Sequence, residues 1–60
     1  MLYTLRFYDS AGVLVSKMEM VSKDDESAAA IFNSIKREYT MELWQGDRLI
    51  TRADAERQTG

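Results

Sequence analysis

Only two glycines interrupt the chain before its last residue, Gly12 and Gly46, and each lies between two stretches with strand periodicity. Without proline, these positions are where the backbone can reverse most cheaply. Residues 2–8, "LYTLRFY", alternate, with Tyr3, Leu5 and Phe7 on one side and Thr4, Arg6 and Tyr8 on the other. "DSAG" then supplies Asp9 at the first and Gly12 at the last position of a type I turn. A four-residue loop, 9–12, sets Tyr8 opposite Val13, Phe7 opposite Leu14, Leu5 opposite Ser16 and Tyr3 opposite Met18. One face of this hairpin then carries Tyr3, Leu5, Phe7, Leu14, Met18 and Met20. A three-residue loop scatters the same apolar residues over both faces, so the pattern favours the even loop.

The second reversal, "ELWQGDRLI", places Leu43-Trp44 and Leu49-Ile50 around Gly46-Asp47. A two-residue type II′ turn fits, because its first central residue needs positive φ. Strands at 40–45 and 48–52 follow, with Trp44 opposite Leu49 and Leu43 opposite Ile50 on opposite faces, and Met41 on the Leu43 side. Neighbours on a strand point to opposite sides, so one of the two apolar pairs needs cover from something other than the core.

Between the hairpins, "SKDDESAAAIFNSIKREY" carries helix-start chemistry. Ser22 with Asp25 resembles a capping box, and Asp24 is a competing cap. Acidic residues at the start, with Lys36 and Arg37 at the end, match the helix dipole. Ala28, Ile31, Phe32 and Ile35, continued by Tyr39, form an amphipathic stripe over an expected helix at 24–38. The sequence therefore predicts an α+β fold, ββαββ, with an antiparallel sheet in the order 2-1-3-4 and one helix packed on one face. Residues 1–52 form the single domain, and the tail at 53–60, "ADAERQTG", is expected to fray for want of an apolar partner.

A domain of 60 residues buries only about 60% of the surface its unfolded chain exposes, so its stability margin is thin. The sequence has no cysteine and no histidine, which excludes disulfides, Cys/His zinc sites, thiol nucleophiles and imidazole acid/base chemistry. Oligomerisation is the reinforcement left to a small scaffold of this kind. A net charge of −2 gives no general attraction to nucleic acid or anionic lipid. Arg6 and Asp9 break the first apolar run well short of signal-peptide or membrane-spanning length, and a cytoplasmic protein is expected.

The sheet face opposite the helix is the candidate site. It is expected to carry Tyr8, Val13, Val15, Trp44 and Leu49 as interface residues with Arg6 and Arg48 at the rim, because a contiguous apolar patch on an open sheet marks an interface. Arg6, Lys17, Arg48 and Arg52 interleaved with Tyr8 and Trp44 also suggest a second use, stacking and clamping single-stranded nucleic acid. Glu19, Glu42 and Asp47 lie among them, which favours solvated ion pairs beside a protein interface.

The carboxylates fall at turns, the helix start and the tail. "KDDES" lacks the spacing and glycine of a calcium loop, the serines lack a base, and one helix on a sheet leaves little room for a ligand pocket. No catalytic residue, cofactor or metal site is expected.

The order strand, Asp9-to-Gly12 turn, strand, "DDESAAA" helix start and the closing Glu42, Leu43, Trp44, Gly46, Arg48, Leu49 and Ile50 resembles a class of short bacterial proteins of alphaproteobacterial type that close on an ELW-x-G-x-R-L-[VI] hairpin. The resemblance covers about 50 residues and implies a stand-alone domain of ββαβ type without an assigned activity. It transfers no catalytic or binding residues. The expected role is a small non-catalytic protein-binding or homo-oligomerisation module, a homodimer or a complex with another protein, and not a membrane component.

Overall fold

A computed structural model describes residues 1–55 of the chain. Strands β1 (Leu2–Tyr8) and β2 (Leu14–Val21), helix α1 (Asp25–Ser34), and strands β3 (Thr40–Gln45) and β4 (Arg48–Ala53) follow in chain order. The four strands form one antiparallel sheet in the order β2-β1-β3-β4, as the sequence predicts. Because β1 lies between β2 and β3, the connection through α1 crosses over β1 and lays the helix on one face.

The core is built from the strands in the middle. Tyr3 and Leu5 of β1, Met41 and Leu43 of β3, and Ala28 and Phe32 of α1 are buried, with Phe7, Met20, Ala29, Ile35, Ile50 and Ala53 packed around them. Leu5 pairs with Leu43 and Phe7 with Met41, so alternation on β1 and β3 delivers one continuous apolar face to the helix. Each large side chain buried there contributes about 1.5–3 kcal/mol of transfer free energy.

The first hairpin corrects the expected loop. The Asp9 N–H donates to the Val13 carbonyl at 2.9 Å and the Gly12 N–H to the Asp9 carbonyl at 3.0 Å, so the loop has three residues, 10–12. The Asp9 carboxylate closes it by accepting from the backbone N–H groups of Ala11 and Val13 at 2.9 and 3.0 Å. Gly12 stands at φ +80°, the left-handed conformation that ends such a loop.

The odd loop shifts the pairing by one residue, and a bulge shifts it by one more. Tyr8 pairs with Leu14, Phe7 with Ser16, Leu5 with Met18 and Tyr3 with Met20, leaving Val15 unpaired. The bulge restores the parity that the three-residue loop breaks, so Met18 and Met20 keep the expected side. Leu14 does not, and sits opposite Tyr8.

In the second hairpin Gly46 has φ +58° and Asp47 is not in the positive region, in keeping with the type II′ turn. Trp44 pairs with Leu49 as expected, but Leu43 pairs with Thr51, because a bulge takes Ile50 out of the ladder. Ile50 packs against the core while Leu49 stays exposed. The bulge thus separates two neighbours whose burial a regular strand also assigns to opposite faces. Strand β4 runs one residue beyond the expected 52. Ala53 joins the core and the Ala55 N–H donates to Thr40 Oγ1 at 3.4 Å, so the first residues of the expected tail are tied down. Residues 56–60 of that tail lie outside the described residues.

The helix is shorter than 24–38. Asp24 is its cap, in extended conformation at φ −158°, and its carboxylate accepts from the Ser27 N–H at 2.8 Å. The competing cap therefore prevails over Ser22, whose backbone instead exchanges bonds with Met1 at 2.8 and 2.9 Å. Replacing Asp24 by alanine is expected to lower stability by about 1 kcal/mol, read from the urea unfolding midpoint.

At the other end the Ser34 hydroxyl donates to the Ile31 carbonyl at 2.7 Å and Ile35 turns extended, at ψ 134°. Lys36 and Arg37 lie past the last turn, so the expected basic complement to the dipole is not made. Ala28, Ala29, Phe32 and Ile35 form the inner face, whereas Ile31 and Tyr39, expected in that stripe, are exposed.

Candidate functional site

The sheet face away from α1 is built by the alternate residues that the core does not use. Across β1 and β3 it pairs Thr4 with Trp44, Arg6 with Glu42 and Tyr8 with Thr40. On the flanks Tyr8 pairs with Leu14 and Arg6 with Lys17 on one side, and Trp44 with Leu49 and Glu42 with Arg52 on the other.

Glu42 is the centre of this face. Its Oε1 accepts from the Tyr8 hydroxyl at 3.0 Å and from the Trp44 indole N–H at 2.9 Å, and its Oε2 lies 3.7 Å from Arg52 Nε. The side chain is only 17% exposed. The Arg6 guanidinium carbon stands 4.9 Å from the centroid of the Trp44 ring, within cation–π range. One carboxylate therefore fixes both aromatic rings, and one arginine lies over the indole. Fixed rings lose little freedom on binding, which is the property of a preorganised anchor. Tyr8, Trp44 and Arg6 are expected on this face from the sequence, with Glu42 there as a charge that disfavours nucleic acid. The signal was there: Glu42 stands two residues before Trp44, hence on the same strand face, with Arg6 and Arg52 as its cross-strand neighbours.

The apolar side chains around this network are open. Leu14 and Leu49, opposite Tyr8 and Trp44, are 48% and 45% exposed, and the bulged Val15 is 47% exposed. Val13 is also exposed, but it pairs with Asp9 at the hairpin end rather than with Tyr8. Tyr8 and Trp44 are half-buried.

Arg48 is not on this face. It pairs with Gln45, on the Leu43 side of β3, and its guanidinium reaches Asp25 at 2.9 Å and bonds the Gln45 side-chain carbonyl. Strand alternation dictates this, since Gln45 is one residue beyond Trp44 and so faces the helix. Arg52 takes the place expected for Arg48.

The Arg48 contact belongs to a second cluster, which fastens the start of α1 to the sheet. The buried Tyr3 hydroxyl donates to Asp25 Oδ1 at 2.7 Å, and Arg48 approaches both carboxylate oxygens. Burial, and then the bond to Asp25, raise the Tyr3 phenol above its ordinary 10.0. The bonds from Tyr3 and then Arg48 hold Asp25 below its ordinary 3.8. A carboxyl depressed in the folded state contributes stability that is complete above its unfolded value and is lost as pH falls through the folded one. The urea midpoint is therefore expected to fall as pH drops below 3.8. Asp25→Asn should flatten that dependence without changing the slope of the transition.

An open cleft of about 670 Å³ lies at the end of the same open face, lined by Tyr8, Asp9, Thr40, Glu42, Arg52 and Asp54. It is a surface feature of the sheet, away from the helix. Its polar groups are already engaged: Asp9 closes its own turn, Glu42 holds the two rings, and Arg52 lies 3.6 Å from Asp54. Among the described residues no group of three or more acidic side chains could hold a metal ion, and no helix is long and apolar enough to cross a membrane.

No family model matches the chain, and no curated protein or solved structure matches it either.

Proposed function

We propose that the chain is a small non-catalytic protein-binding module that docks through the open sheet face, with a second copy of itself as the first partner to test. The observation that carries this reading is the combination on one face of two aromatic rings fixed by Glu42 and the exposed Leu14 and Leu49 around them. A rigid aromatic anchor with an apolar surround and an arginine rim is the composition of a binding hot spot. Tyr8, Trp44 and Leu49 form the centre, Leu14 extends it, and Arg6 and Arg52 lie at the rim. Val13 is peripheral and Arg48 takes no part.

Sedimentation equilibrium over a wide concentration range tests self-association. A dimer or larger species supports the reading. A monomer at every concentration, combined with no protein retained on the immobilised chain, opposes it.

Single-stranded nucleic acid is the weaker reading. Arg6 already lies over the indole ring and the Glu42 carboxylate sits between the aromatics, so a base would have to displace the one and face the other. Affinity for an oligonucleotide that fails to fall steeply with added salt would count against it. On the resemblance of residues 42–50 to bacterial hairpins, and on the lack of cysteine, we place the module in a bacterial cytoplasm.

A further inference from the structure

Strand β2 stands at one end of the sheet order, and nearly all of its residues are exposed, including Leu14, Val15, Met18 and Val21. The helix leaves it uncovered on one side, and among the described residues no strand pairs with its outer edge. The other edge strand, β4, is interrupted by its bulge at Ile50, whereas β2 is regular from Ser16 to Val21. An exposed, regular, apolar edge is a template for pairing with another strand.

The backbone shows which residues offer that template. Met1 and Ser22 exchange both main-chain bonds, and bonded and non-bonded pairs alternate along an antiparallel ladder. Met20, Met18 and Ser16 therefore spend their N–H and C=O groups on β1. Lys17, Glu19 and Val21 turn theirs outward.

We propose that β2 pairs antiparallel with β2 of a second copy, about a two-fold axis through Met18, joining the two sheets into one. This register matches the outward groups of Lys17 with those of Glu19 of the second copy, within the regular stretch from Ser16 to Val21. Two opposite-charge pairs then flank a central Met18–Met18 contact, with the same faces of both sheets aligned. Moving the axis to Lys17 or to Glu19 puts like charges opposite each other. Moving it by half that distance turns the outward groups away from one another and reverses the faces. Charge complementarity thus selects one register and a second copy of this chain as the occupant. The pairing uses the backbone edge of β2, at the flank of the open face of the proposed function, and leaves Trp44 and Leu49 free.

The test is sedimentation equilibrium of the full chain with K17E, E19K, the double variant K17E/E19K and W44A. Each single reversal should weaken dimerisation roughly 10-fold, and the double variant should return to within about 3-fold of the parent. Circular dichroism confirms that each variant is folded. A parent that stays monomeric to about 1 mM, single reversals that associate like the parent, or a double variant that does not recover would each overturn the pairing. Association lost in W44A but unchanged in both reversals would overturn edge pairing while supporting the open face. The opposite pattern would support the edge and remove the open face as the self-association surface.

Discussion

Phe32→Ala should cost about 3–5 kcal/mol and leave the chain largely unfolded, whereas Ile31→Ala should change stability by no more than about 0.5 kcal/mol. The two residues are neighbours on α1, and both fall on the apolar stripe that the helical spacing suggests. Phe32 is 2% exposed between the helix and the β1–β3 centre, and Ile31 is 43% exposed. Deleting the phenyl ring removes its transfer free energy and leaves a cavity in a core of six buried side chains. A domain of this length holds only about 3–9 kcal/mol in total, so that loss consumes most of it. Urea unfolding followed at 222 nm decides the matter. Equal costs at the two positions would mean that the helix is rotated from the orientation described.

Trp44→Ala should weaken association through the open sheet face by about 2 kcal/mol, close to 30-fold, while the isolated domain stays folded. The indole is half-buried, held by Glu42 and covered by Arg6, and it stands on the sheet face opposite the core. Its removal frees the Glu42 carboxylate and the Arg6 guanidinium, and both can turn to water. Loss of folding at concentrations too dilute for association would place Trp44 in the core instead. Leu43→Ala supplies the contrast, since that side chain is fully buried on the helix side and its loss should unfold the domain by the same mechanism as Phe32→Ala.

The periodicities decided the element order, the sheet order and the faces of β1 and β3, because alternation of side chains is a property of the strand itself. What periodicity misses is where the ladder slips. The three-residue loop and the Val15 bulge each shift the register by one, and their sum restores the apolar face, so the hydrophobic pattern alone accepts either an even loop or this pair of odd steps. The two alternatives differ at Leu14, which the odd loop sets opposite Tyr8. The Leu43–Ile50 pairing fails through a bulge that no residue between Leu43 and Thr51 announces, although Ile50 keeps the expected Leu43 side.

The end of the helix was illegible for a different reason. Lys36 and Arg37 are good helix formers, but Ile35 joins the core in an extended conformation and tertiary packing overrides the propensity. In the candidate site, residue types identified the aromatics, while Glu42 became visible only with the cross-strand pairs. Arg48 falls on the helix side because it alternates with Leu49, its neighbour on the open face.

The central claim is that the open sheet face is the working surface, and the direct measurement is a map of backbone amide and indole N–H shifts as the concentration of the chain is raised. Shifts are expected at the Trp44 indole, Arg6, Tyr8, Leu14 and Leu49, with the outer side of α1 around Ile31 unchanged. Shifts confined to the helix side, or none at the Trp44 indole while the sedimentation mass rises, would contradict it.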